Sequence, residues 1–86
     1  MELEDKLALV LEVCDKLGLE VRSERLGGSG GGLCRIKGKS IIFIDLEAQA
    51  DVRYERLITD LADFPEIDSI YIVPEIRADM ERWRKI

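Results

Sequence analysis

Six of the seven glycines of this 86-residue chain fall within GGSGGGLCRIKGKS, residues 27–40, a stretch that ends on Gly38, Lys39 and Ser40. Glycyl amides, a lysine and a hydroxyl hold a nucleotide's phosphates when a strand turns through them into a helix. The spacing here is wrong for that. A phosphate loop sets four residues between its first glycine and the Gly-Lys-Ser, which demands glycine where Leu33 stands. The dinucleotide pattern fails in the same way: counted from Gly28 its third glycine falls on Leu33, and counted from Gly30 on Arg35. Strand-like sequence flanks the Gly-Lys-Ser on both sides, with no helix start behind it. The stretch reads as a flexible connection between strands. Within Gly28–Gly32, the residues Gly30, Gly31 and Gly32, with Cys34 beside them, are those left to form a small-ligand nest.

Cys14 and Cys34 are the nucleophile candidates. A reactive thiolate needs a basic neighbour and exposure. Both thiols fall on predicted apolar faces, one of a helix and one of a hairpin, where cysteine behaves as a small hydrophobe. That placement allows them to meet across a helix–sheet interface. Arg35 adjoins Cys34 but belongs to the opposite face of its strand. The chain has no histidine, so it lacks the commonest general base and the commonest zinc ligand. Asp45, Glu47, Asp60 and Asp63 lie around the second helix without calcium-loop spacing, and an all-oxygen metal site needs three or more convergent acids. No catalytic residue, metal or cofactor is expected from this inventory.

The charge balance narrows the partners. Thirteen basic and 18 acidic residues leave a net charge of −5, a sign that repels nucleic acid and anionic membrane unless the basic residues cluster. Arg22, Arg25, Arg35, Lys37 and Lys39 are interleaved with Glu20 and Glu24, the pattern of a solvated mixed-charge face. A double-stranded RNA-binding domain shares the expected element order, but the start of its second helix carries lysines where this chain has EAQADVRYE. The longest apolar run, Ile41–Ile44, is too short to cross a bilayer. The N-terminus MELEDKLALV lacks the basic segment of a secretion signal. A cytoplasmic location with reduced thiols is the expectation.

The elements that must position these residues follow from periodicity. Leu3, Leu7, Val10, Leu11, Cys14 and Leu17 recur at helical steps, predicting a helix over residues 2–17 stopped by Gly18. Leu19–Leu26 predicts a first strand. Leu33–Lys37 and Ser40–Asp45 predict a hairpin turning at Gly38, with Cys34, Ile36, Ile41 and Phe43 on the core face. Ala50, Tyr54, Leu57, Ile58 and Leu61 mark a second helix that ends before Pro65. Asp68–Val73 is short and β-branched, predicting a fourth strand, and Pro74 opens a last helix anchored by Ile76, Met80 and Trp83. The expected fold is one α+β domain spanning residues 1–86. Its order is α-β-β-β-α-β-α, a small open mixed sheet with helices on one face.

GGLCRIKGKSIIFID followed by a helix carrying YERLITDLADF resembles the core of the ImmA/IrrE-like zincin metallopeptidases, over residues 1–65. In that family a helix and a small sheet with a glycine-bearing hairpin precede a helix that carries His-Glu-x-x-His. By this resemblance the motif falls on Thr59-Asp60-Leu61-Ala62-Asp63, with both histidines absent and aspartate in place of the glutamate. The resemblance implies a retained scaffold that has lost its zinc chemistry. The same stretch also looks like small uncharacterised bacterial proteins with a GGLCR hairpin.

Taken together, the residues predict a non-enzymatic domain acting through protein contacts, its own copy included. An open sheet leaves edges that pair with other chains. The alternative is a thiol-dependent or small-ligand function at Cys34 and Gly28–Gly32.

Overall fold

The computed structural model describes residues 1–28 and 31–83, apart from the side chain of Trp83. The described elements run α1 (Leu3–Lys16), β1 (Glu20–Glu24), β2 (Gly32–Ile36), β3 (Lys39–Asp45), α2 (Ala50–Ala62), a 3-10 turn (Ile67–Ser69) and α3 (Pro74–Trp83). The class is α+β with an open mixed sheet, as expected. α1 begins with Glu4 and Asp5 in its first turn, where the helix dipole favours acids. It ends in a Schellman motif. Leu19 donates its N–H to the Cys14 carbonyl and Gly18 to that of Asp15, both at 3.0 Å, with Gly18 at φ 73.

The sheet has the order β1-β3-β2. β3 lies in the middle, parallel to β1 with Glu20 beside Ile41, and antiparallel to β2 with Cys34 beside Ile41. β2 and β3 join through a two-residue turn, Lys37-Gly38. Both turn residues have positive φ, 51 and 81, the mark of the type I′ turn that matches strand twist. β1 and β2 are the two edges, and β1 ends beside Asp45 while β2 begins beside Phe43, so the link between them is a crossover from one edge to the other. That crossover is the glycine-rich stretch.

Asp68–Val73 does not form the expected fourth strand. Its residues make a 3-10 turn and then an extended link into α3. The Arg77 guanidinium donates to the carbonyls of Ile67 at 3.3 Å and Ile70 at 3.2 Å, and to the Asp68 carboxylate at 3.0 Å. It thereby satisfies main-chain acceptors that a sheet ladder would otherwise claim. β-branched residues here bury Ile67 and Ile72 in the helix layer, and no strand is offered to them as a neighbour.

One core lies between the sheet and the helices. Val10, Val13 and Cys14 from α1 meet Ile42 of β3, Leu57, Ile58 and Leu61 of α2, and Ile76 and Met80 of α3. Leu33 and Ile44 pack against it from the same face of the sheet. The apolar residues of the opposite face, Cys34, Ile36, Ile41 and Phe43, have no place in that cluster, although Ile41 is itself buried at 3% exposed. The face of the hairpin turned to the helices is therefore the one that carries Leu33, Ile42 and Ile44. β3 is apolar at four consecutive positions, Ile41–Ile44, and a continuous apolar run carries no period-two signal to say which side is inward.

Candidate functional site

The glycine-rich crossover is gripped at both of its described ends, and by acids. Asp45, the last residue of β3, is only 3% exposed. Its carboxylate accepts the main-chain N–H groups of Leu26 at 2.9 Å, Gly28 at 2.6 Å and Glu47 at 2.9 Å. The Gly27 N–H donates to the Glu47 carboxylate at 2.8 Å. At the other end, α2 presents Arg56 and Asp60 one turn apart. Arg56 donates to the Gly31 carbonyl at 3.0 Å and Asp60 accepts the Leu33 N–H at 3.1 Å. Burial raises the Asp60 pKa, and the nearby Arg56 guanidinium opposes that rise.

This geometry answers the phosphate question from the residues upward. The amides of Gly27 and Gly28, which a phosphate would need, already donate to the chain's own carboxylates. An incoming anion would have to displace Asp45 and Glu47 and then sit among acids. Gly31 has a separate reason to be glycine. Its φ is 95, and a side chain there would meet the Phe43 carbonyl oxygen at 2.9 Å. Gly32 lies under α2, where a Cβ would come within 3.3 Å of Arg56. Gly30, one of the nest candidates, lies outside the described residues. Lys39, the lysine of Gly-Lys-Ser, pairs with Glu20 at 2.7 Å across the sheet.

The two thiols fall on opposite sides of the sheet, so the expected contact between them does not form. Cys14 is fully buried in the core and its thiol is pushed up to about 11 by burial, the state of an unreactive sulfhydryl. Cys34 is exposed on the uncovered face. Both are free.

Sequence reasoning passed over the most concentrated ionisable cluster, which joins all three helices. Asp79 of α3 is 6% exposed. It accepts hydrogen bonds from the Tyr54 hydroxyl at 2.6 Å, from Lys6 at 3.0 Å and from Arg82. Lys6 also lies 3.3 Å from Glu75 and 5.4 Å from the centre of the Tyr54 ring. The Tyr54 hydroxyl, Lys6 and Arg82 together hold the Asp79 carboxyl below the usual carboxylate range. Burial and the Asp79 charge raise Tyr54, and the hydrogen bond to Asp79 raises Lys6. Both shifts run against base or nucleophile chemistry, which needs tyrosine and lysine made easier to deprotonate. The one advance signal was an aspartate on the apolar side of α3, three residues after Ile76 and next to Met80.

The residues onto which the zincin resemblance maps its motif are engaged locally. The Thr59 hydroxyl donates to the Glu55 carbonyl at 2.8 Å, Asp60 holds the Leu33 amide, and Leu61 and Ala62 are in the core. Asp60, Asp63, Arg35 and Ser40 line a shallow cleft of about 290 Å³ beside Phe64. Among the described residues, no three cysteine, aspartate or glutamate side chains converge as a metal-ligand set. No described helix is long and apolar enough to cross a membrane.

The second surface of note is the uncovered face of the sheet. Cys34, Ile36, Ile41 and Phe43 lie along its β2 and β3 side; Cys34 is exposed and Ile36 45% exposed, whereas Ile41, between its strand neighbours, is only 3% exposed. Glu20, Arg22 and Glu24 line the β1 side, alternating in sign. Lys39 leans onto this row through Glu20, whose carboxyl the Lys39 and Arg22 side chains hold below its ordinary range. Set against family models, curated proteins and solved structures, the chain matches none.

Proposed function

We propose that this chain is a cytoplasmic, non-catalytic binding module that acts through protein contacts at the uncovered face of its sheet. The observation that carries the reading is the exposure of Cys34 and of Ile36, 45% exposed, on β2, beside the partly exposed Phe43 of β3, all three outside the core cluster. Apolar residues gathered on one face and rimmed by charge are the usual make-up of a protein-contact surface. The engagement of Asp45, Asp60 and Asp79 with amides and cations supports a structural role for each of these acids. A photo-crosslinking residue in place of Ile36 will trap protein adducts in cells, whereas the same residue in place of the exposed Glu12 of α1 will trap none. Equal yields at the two positions overturn the reading.

A second reading is favoured by the exposure of Cys34, a thiol-dependent or small-ligand function centred there and on Gly28–Gly32. It requires the native Cys34 thiol to react with iodoacetamide faster than free cysteine does at the same pH. A rate equal to that of free cysteine reports exposure alone and removes it.

A further inference from the structure

We propose that the free edge of β1 pairs with the same edge of a second copy of this chain, antiparallel about a two-fold axis at Ser23, to make one continuous six-stranded sheet. The two edges of the sheet are finished differently. On β2 the outward-pointing Leu33 N–H is already held by Asp60, and the Gly31 carbonyl near it by Arg56, so α2 closes the start of that edge against another strand. β1 has no such cover. Glu24 turns its carbonyl to β3, where it accepts the Leu46 N–H at 2.8 Å, and alternation therefore turns the N–H and carbonyl groups of Val21 and Ser23 outward. Among the described residues nothing pairs with those groups, and Val21, Arg22, Ser23 and Glu24 are all exposed.

The charges choose both the partner and the register. In an antiparallel pair, residues opposite each other both turn their main-chain groups toward the join or both away. A two-fold axis therefore passes through a residue that faces its own copy. Centred on Arg22, it sets Arg22 against Arg22 and Glu20 against Glu24, like charges in every case. Centred on Glu24, it sets that acid against itself. Centred on Val21, it runs Gly18, the cap of α1, into the join. Centred on Ser23, it places Arg22 of each copy opposite Glu24 of the other, a favourable cross-strand pair made twice. Glu24 has no ion pair among the described residues, whereas Arg22 is held by Glu20. Carried through Val21 and Arg25, this register exchanges about six main-chain hydrogen bonds, and strand addition draws its affinity from such bonds more than from area. The axis stands perpendicular to the sheet, so the helices of both copies stay on one side. Exposed Leu11 of α1 lines a cleft with Leu7, Ser23 and Leu46, and the axis at Ser23 brings the two clefts side by side. The uncovered face of the sheet is a separate surface, and pairing at β1 leaves Ile36 free.

Sedimentation velocity on the purified full chain over a rising concentration series tests this. The wild type will show a reversible monomer–dimer equilibrium. Arg22→Glu alone and Glu24→Arg alone will each weaken it at least tenfold, because like charges then oppose each other twice. An equimolar mixture of the two variants will associate at least as tightly as the wild type, and the chain carrying both exchanges will recover it. Ser23→Cys in a Cys34→Ser background reads the register. It will form an intermolecular disulfide under mild oxidation, since Cα atoms of a bonded antiparallel pair lie about 5.5 Å apart. Arg35→Cys on the β2 edge, in the same background, will not. Circular dichroism will show every variant folded, because the altered side chains are at the surface. A wild type that stays monomeric at the highest concentration overturns the proposal, as does a mixture that fails to associate. A dimer that crosslinks at position 35 and not at position 23 overturns it too, by placing the join on β2. The contact reading of the sheet face has its own test at position 36 and stands or falls separately.

Discussion

Asp45 and Asp79 are both almost wholly buried, at 3% and 6% exposed, yet they are satisfied by different kinds of group. Asp45 collects main-chain amides from Leu26, Gly28 and Glu47. Asp79 collects side chains, a hydroxyl and two cations, from α1, α2 and its own helix. Amides neither titrate nor turn away to water, so the crossover cannot reorganise around a missing Asp45. Lys6 and Arg82 reach the surface and can return to solvent if Asp79 is removed. One carboxylate shapes a loop, and the other ties helices together.

The contrast predicts an order of effects. Asp45→Ala strips three amides of their acceptor and should cost about 3 kcal/mol, allowing for partial access of water to the opened loop. Urea denaturation measures the loss, and hydrogen exchange should quicken at Leu26, Gly28 and Glu47 before it changes in α3. Asp79→Ala should cost less, about 2 kcal/mol, because its cationic partners can be resolvated. If Asp79→Ala proves the more damaging, the distinction between fixed and movable donors is wrong.

Acid should act on the Asp79 cluster in a definite direction. Its carboxyl titrates below the unfolded value, so its contribution to stability is complete above the ordinary aspartate range and drains away as pH falls through the depressed folded value. Between about pH 5 and pH 2 the urea midpoint of the wild type should therefore fall more steeply than that of Asp79→Asn, which has no such charge to lose. Parallel curves would mean that the ionised carboxylate contributes nothing. The smallest effect is expected from Tyr54→Phe. It removes one hydroxyl donor and keeps the ring over which Lys6 lies, for a loss of about 1 kcal/mol in the same denaturation measurement. A loss as large as that of Asp79→Ala would place the cluster's strength in the hydroxyl instead of the cations.

Much of the architecture was legible in side-chain spacing, because helical period is a local property. The stripes through Val10 and Cys14, Leu57 and Leu61, and Ile76 and Met80 each predict a helix and an inward face, and all of these residues are in the core. Gly18 and Pro74 punctuate as their backbone chemistry requires, and Lys37-Gly38 turns the hairpin. The candidate site was much less legible. Cys34 was expected inside and is outside, since Ile41–Ile44 is apolar on both sides. The Asp45 clamp joins residues 17 to 19 apart in the chain and the Asp79–Lys6 pair residues 73 apart, separations at which no local pattern speaks.

Composition, period and turn chemistry by themselves determined three helices, a hairpin, an α+β class and a glycine stretch mis-spaced for a nucleotide. Only the tertiary structure decided that Asp68–Val73 is no strand, which face of β3 is covered, and that acids hold the glycine crossover. The reason is physical. A side chain's preference for helix or strand acts within a few residues, whereas which strand lies in the middle and which carboxylate meets which amide depend on how distant segments pack to bury one shared core.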